Sequence, residues 1–245
     1  MSTTDFSSHF GINNIPFGIA SSSSHSNPQC VTRYESTVIF VSEIPGLEST
    51  GLGQDVFAKS TLNAFAGSGR EAHRAVREAI QSAIKHDKIP ASAKKDIKDV
   101  KLHLPVQVGD FTDFSCSPHH NRNAGQALLG MSRGLPPGYL HHPLGYAGRC
   151  SSINVSGTSI RRPRGQYFEH GNEGLKGGRT TVTYGPSRWM DYELEIGVVV
   201  GQTVKQGDYV TADKAGENIF GFVLLNDWSG ESRSYFSEYL SCSHC

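Results

Sequence analysis

Glu193 and Glu195 stand two apart in DYELEIG, so on a strand both carboxylates point to one face while Leu194 and Ile196 point to the other. Two like charges side by side repel unless a cation lies between them; a solvent-facing strand edge is the plain alternative. A further acid, Asp227, closes the apolar run of NIFGFVLLNDWS. It is delivered at the mouth of a strand, although an aspartate there can also begin an Asx turn. Asp113 in DFTDF is a fourth candidate. Four carboxylates without a Cys/His cluster suit a hard, oxygen-seeking ion, Ca2+ or Mg2+, in preference to Zn2+.

The stretch DFTDFSCSPHH places His119 and His120 shortly after Asp113, close enough to line the same pocket. An imidazole titrates near physiological pH and can take a proton beside a cation, whereas a lone loop histidine is more often just a surface residue. HPLGYAGRCSS adds Tyr146 and Arg149 on a glycine-punctuated turn, donors suited to an anionic substrate. Arg161, Arg162 and Arg164 in RRPRG read as a solvated basic loop.

These side chains need strands and turns to hold them. SSINVSGTSI (151–160), TTVTYG (180–185), YELEIGVVVG (192–201) and NIFGFVLLND (218–227) read as strands of a mostly β region with long loops. Ahead of them, SSSSHSNPQ (21–29) is a polar turn and TVIFV (37–41) a short strand. Ser68 and Glu71 make a capping-box pattern before Ala72, Ala75, Val76, Ala79, Ile80, Ala83 and Ile84. That spacing predicts an amphipathic helix from Ser68 to near Lys85. The polar HDKIPASAKKDIKDVK (86–101) reads as a linker, with a domain boundary near 105 and no internal repeat.

A length of 245 residues suits one large domain or a small and a medium one. Lys and Arg total 23, as do Asp and Glu. The balance gives no electrostatic ground for nucleic acid or an anionic membrane, so a small-molecule partner is expected. No run approaches the roughly 20 apolar residues of a membrane span, and MSTTDFSSHF lacks the basic and apolar regions of a leader. A soluble, cytoplasmic protein is expected. Cys30, Cys116, Cys150, Cys242 and Cys245 form no disulfide framework, and Cys242 with Cys245 is a lone C-x-x-C without a second pair.

Taken together, DFTDF followed by HH, LHHPLGYAGRCSSINVSGTSIRRPRGQ, MDYELEIGVVVG and IFGFVLLNDWS resemble the fumarylacetoacetase family. INNIPFGIASSSSHSNP and STLNAFAGSGREAHRAVRE are similar to that family's N-terminal domain, so the resemblance runs from about residue 9 to 229. It implies a mainly β fold with some α: a small SH3-like barrel over 1–105, then an incomplete β-sandwich-like mixed roll over 106–229, with 230–245 an unrelated tail. It also implies metal ligands at Asp113, Glu193, Glu195 and Asp227, a catalytic base at His120 and a substrate-contacting tyrosine at Tyr146. The implied reaction is Ca2+- or Mg2+-dependent hydrolysis of a diketo acid, 4-fumarylacetoacetate, to fumarate and acetoacetate, the last step of tyrosine and phenylalanine breakdown. The implied partner beyond the substrate is a second copy, in a homodimer.

The chain departs from the family's pattern inside the site. Ser115 stands where the family has a tyrosine, and Leu129 where it has a substrate-binding arginine. After Ser229, GESRSYFSEYLSCSHC replaces the continuation that would carry the family's lysine and the glutamate orienting the histidine. Gly-Glu-Ser can be encoded through GTGAGT, a splice-donor sequence, so read-through of an unspliced intron, or a gene-model error, is the expected origin of this tail. Little turnover is expected of the chain as it stands. The alternatives are an inactive fragment or interaction module, and an acylpyruvate hydrolase or oxaloacetate decarboxylase, relatives that usually lack the N-terminal domain.

Overall fold

Small and β-branched residues on either side of the SSSSHSNPQ turn fold as a meander: β1 Phe17–Ser22, β2 Gln29–Tyr34 and β3 Thr37–Phe40. The computed structural model describes residues 6–129, 135–168, 182–188 and 190–229. The tail from 230 on, with Cys242 and Cys245, lies outside the described residues. After the meander come α1 Gln54–Phe57, α2 Asn63–Ala66 and α3 Arg70–Lys85, then β4 Lys94–Asp96 and β5 Val100–His103. These strands make one antiparallel sheet in the order β4-β3-β2-β1-β5. Ile19, Ile39, Phe57, Phe65, Val76 and Ile80 are fully buried on one side of it. Cys30 joins them, and burial pushes its thiol pKa up.

The apolar spacing of α3 is borne out, with Val76, Ile80 and Ala83 buried and Lys85 the last residue. Its start is a correction. Gly69, at φ +88°, precedes the helix, and the Ser68 hydroxyl donates to the Phe65 carbonyl at 2.6 Å and does not cap α3. The left-handed step that only glycine takes freely assigns Ser68 to the preceding turn.

Residues 86–101 are also not a linker. Ile89 and Ala93 are buried, and β4 and β5 pair with β3 and β1 as Val38↔Lys95 and Ala20↔Leu102. Among the described residues β4 and β5 are the two edges of the sheet, and lysine is a residue that suits an edge strand. A strand as short as KKD has no period to display.

The second region adds β6 Thr112–Asp113, α4 Pro118–Leu129, β7 Tyr146–Ala147, β8 Arg164–Phe168, β9 Val182–Pro186, β10 Asp191–Val200 and β11 Ile219–Ser229. β6 pairs with β7, β8 with β9, and β10 with β11. The described chain is thus mainly β with a few helices, as expected. No strand forms over 151–160. The N–H and hydroxyl of Thr158 both reach the Val155 carbonyl, and the Asn154 side chain reaches the Ser152 carbonyl. Such local bonds compete with a ladder. Helix α4 was unforeseen although SPHH carries its signal: Pro118 opens it, and the Ser117 hydroxyl accepts the His120 N–H at 3.2 Å.

Two units result, one from residues up to Gln107 with Ile196–Val223, the other from Val108–Glu195 with residues from Leu224 on. The break after Gln107 lies beside the boundary read near 105, but Ile196–Val223 groups with the first unit. Among the described residues no helix is long and apolar enough to cross a membrane.

Candidate active site

The two-residue ladder of β6 and β7 sets Asp113 opposite Tyr146. Directly opposed residues on an antiparallel pair face the same side, and the Tyr146 hydroxyl donates to Asp113 Oδ2 at 2.5 Å. The ladder is tight: a Cβ on Gly148 would lie 1.8 Å from Phe111 Cδ1, and the Gly148 N–H donates to the Phe111 carbonyl at 2.8 Å. The other oxygen, Asp113 Oδ1, accepts the Ser115 N–H at 2.6 Å. Asp113 is therefore held at both oxygens before any ligand arrives.

Along β10 exposure alternates with the period of two. Glu193 and Glu195 take the more covered face, while Tyr192, Leu194 and Ile196 are well exposed. Carboxylate oxygens of Asp113, Glu195 and Asp227 all lie within 4.8 Å of one another. Asp227 reaches this point from inside β11, which continues to Ser229 and does not end at the aspartate. Burial, and then the charges of Asp113, Asp227 and Glu193, push the Glu195 carboxyl up to about 7. Burial, the bond to Asp113 and the same acidic surroundings push the Tyr146 hydroxyl pKa up as well. Carboxylates this close repel when ionised. A hard divalent cation with oxygen ligands fits such a donor set.

Glu193 stands outside that trio. Its Oε1 accepts the Ser229 hydroxyl at 2.7 Å, and its Oε2 lies 3.5 Å from His120 Nε2. Ser229 was not anticipated, although its two-residue spacing from Asp227 on a strand puts both on one face. His120 is half-exposed in the first turn of α4. His119 and Arg149 are exposed. Two of the three RRPRG arginines are engaged: Arg162 Nη1 donates to the Ser187 carbonyl at 2.8 Å, and the Arg164 guanidinium lies 5.6 Å from the Tyr184 ring centre. Between Asp113 and His120 the chain passes through Ser115 at φ +46°, and the Asn121 side chain bonds back to that turn.

A β-rich chain with a carboxylate site fit for a divalent cation, and a histidine beside it, is the class of protein that fold and site define. The Fumarylacetoacetase N-terminal family matches residues 13–105, and the Fumarylacetoacetate (FAA) hydrolase C-terminal family matches 110–242, past the Ser229 limit read from the sequence. The chain is 38% identical over 239 residues to fumarylacetoacetase of Aspergillus fumigatus, 37% over 234 to that of Caenorhabditis elegans and 35% over 235 to that of Bos taurus. It belongs to the fumarylacetoacetase family. Each of those comparisons covers 91% of this chain and 54% of the relative, so the chain spans about half the length of the curated relatives it matches.

Proposed function

We propose that the acidic site holds Ca2+ or Mg2+ and serves a fumarylacetoacetase-type hydrolysis, in which water cleaves a carbon-carbon bond of 4-fumarylacetoacetate to give fumarate and acetoacetate. The observation carrying this reading is the convergence of the Asp113, Glu195 and Asp227 carboxylates within 4.8 Å. Those three would hold the ion, with Glu193 as the fourth carboxylate beside them. A bound divalent cation would polarise a substrate carbonyl and stabilise charge developing on its oxygen.

The other roles fall to this chain's own side chains. Glu193, facing His120 Nε2 at 3.5 Å, orients the imidazole and leaves Nδ1 to accept a proton from the attacking water. The hydroxide oxygen bonds to the carbonyl carbon, the carbon-carbon bond breaks, and its electron pair goes to the carbon that becomes part of acetoacetate. His120 returns the proton to that carbon. Tyr146, with its hydroxyl pKa pushed up, stays protonated; its one proton goes to Asp113 Oδ2, and it would turn to a substrate oxygen when the cation engages that carboxylate. Turnover is expected to be slow, because Ser115 supplies none of the reach of the tyrosine that the resemblance places there.

Calorimetric titration of the purified chain with CaCl2 and MgCl2, beside an assay of substrate absorbance, tests the proposal. The expected result is cation binding that Asp227→Asn weakens, and hydrolysis that needs both the cation and His120. Binding with no turnover would reduce the chain to the cation-holding part of the site. Failure to bind either cation would overturn the reading.

A further inference from the structure

We propose that Asn121 is a positioning residue for this site: its side-chain amide clamps the loop between Asp113 and His120 and so holds a cation ligand and the base in one geometry. The inference rests on the proposed function above for the purpose of the clamp, and on the loop's own hydrogen bonds for its existence. Ser115 adopts φ +46°, a left-handed conformation that a side chain disfavours and that persists only where surrounding contacts impose it. Those contacts converge on Asn121. Its Nδ2 donates to the Ser115 carbonyl at 2.6 Å and to the Ser117 carbonyl at 2.9 Å. Its Oδ1 accepts the Ser115 hydroxyl at 3.3 Å, and Tyr139 adds a hydroxyl bond to the Ser115 carbonyl at 3.1 Å.

Only a primary amide of this length offers two donors and an acceptor together. An aspartate would keep the shape and lose both donors. The clamped turn is tied to chemistry at each end. Upstream, the Ser115 N–H is the donor on Asp113 Oδ1. Downstream, Asn121 directly follows His120 in α4, and its own N–H donates to the Ser117 carbonyl at 3.0 Å. Asn121 is thus built to act on the cation and the proton through Asp113 and His120.

The test uses the full chain with Asn121→Ala, with Asn121→Asp, and with Asn121→Ala combined with Ser115→Gly. Two quantities are read: hydrogen exchange at the Ser115 amide, and Ca2+ affinity by calorimetry. Asn121→Ala and Asn121→Asp should both speed exchange at Ser115 and weaken Ca2+ binding about tenfold, the low end for losing a partner one step behind a metal ligand. Adding Ser115→Gly should recover part of both losses, because glycine takes the left-handed turn without the clamp. Helix stabilisation alone would not be relieved by Ser115→Gly, and an unrelieved loss overturns the inference, as does unchanged exchange in both single variants. If the parent binds no Ca2+ while Asn121→Ala still frees the Ser115 amide, the proposed function fails and the clamp stands.

Discussion

Buried hydrophobic side chains of the first unit run from Ile15 to Ala93, while the described residues of the second unit contribute none. The first unit has a five-stranded sheet with α3 and its neighbours over one face; the second places Asp113 with a ladder of two residues and a set of side-chain bonds to backbone. Burial of apolar surface is worth about 1.5 to 3 kcal/mol for each large side chain, whereas a typical hydrogen bond nets about 1 kcal/mol. The first unit therefore owes its stability to its core. The second owes the shape of its site to polar geometry, which leaves more of its stability to be supplied by a ligand.

The strongest way to break this contrast is Phe65→Ala. The Phe65 ring meets Phe17, Phe57 and Phe220 edge-on at centroid distances of 4.9, 5.4 and 5.5 Å. Its loss should cost about 3 to 5 kcal/mol, read from hydrogen exchange of first-unit amides under mild denaturant. Exchange at the Asp113 to Asn121 loop should stay unchanged, and its collapse in step with the core would show that the two regions do not differ as described.

The next effect comes from the ligand side. Ca2+ at a hundredfold excess over its dissociation constant should stabilise the second unit by about 2.7 kcal/mol and leave the first unit's amides untouched. Equal protection of both units, or of neither, would remove the distinction.

The smallest effect is a dependence on pH. With the Glu195 carboxyl pushed up to about 7, the folded second unit keeps a proton that the unfolded chain has already lost. The folded state binds more protons across that window, so stability falls as pH rises from the ordinary carboxyl range to about 7, then levels off. Water screens this partly exposed group, and the total should be about 1 kcal/mol or less. Glu195→Gln, or added Ca2+, should flatten the slope of unfolding midpoint against pH; a slope unchanged by both would exclude Glu195 as its source.

Much of this was legible in the chain itself, because it is written among neighbours. The buried stripe of α3 follows from residues three and four apart, and the shared face of Glu193 and Glu195 from residues two apart. The family motifs likewise sit in unbroken runs around Asp113, Tyr146, Glu195 and Asp227. The tertiary structure decided what no local period encodes. Gly69 moved Ser68 out of the helix cap, and β4 and β5 became sheet edges although their charge looked like a linker. Strand pairing set Tyr146 against Asp113, and it was the folded arrangement that gave Glu195 to Asp113 and Asp227 while turning Glu193 toward His120 and Ser229. Two glutamates with the same local pattern received different partners because partners are assigned by the register and approach of distant segments, which depend on the packing of the whole chain and not on the spacing within one strand.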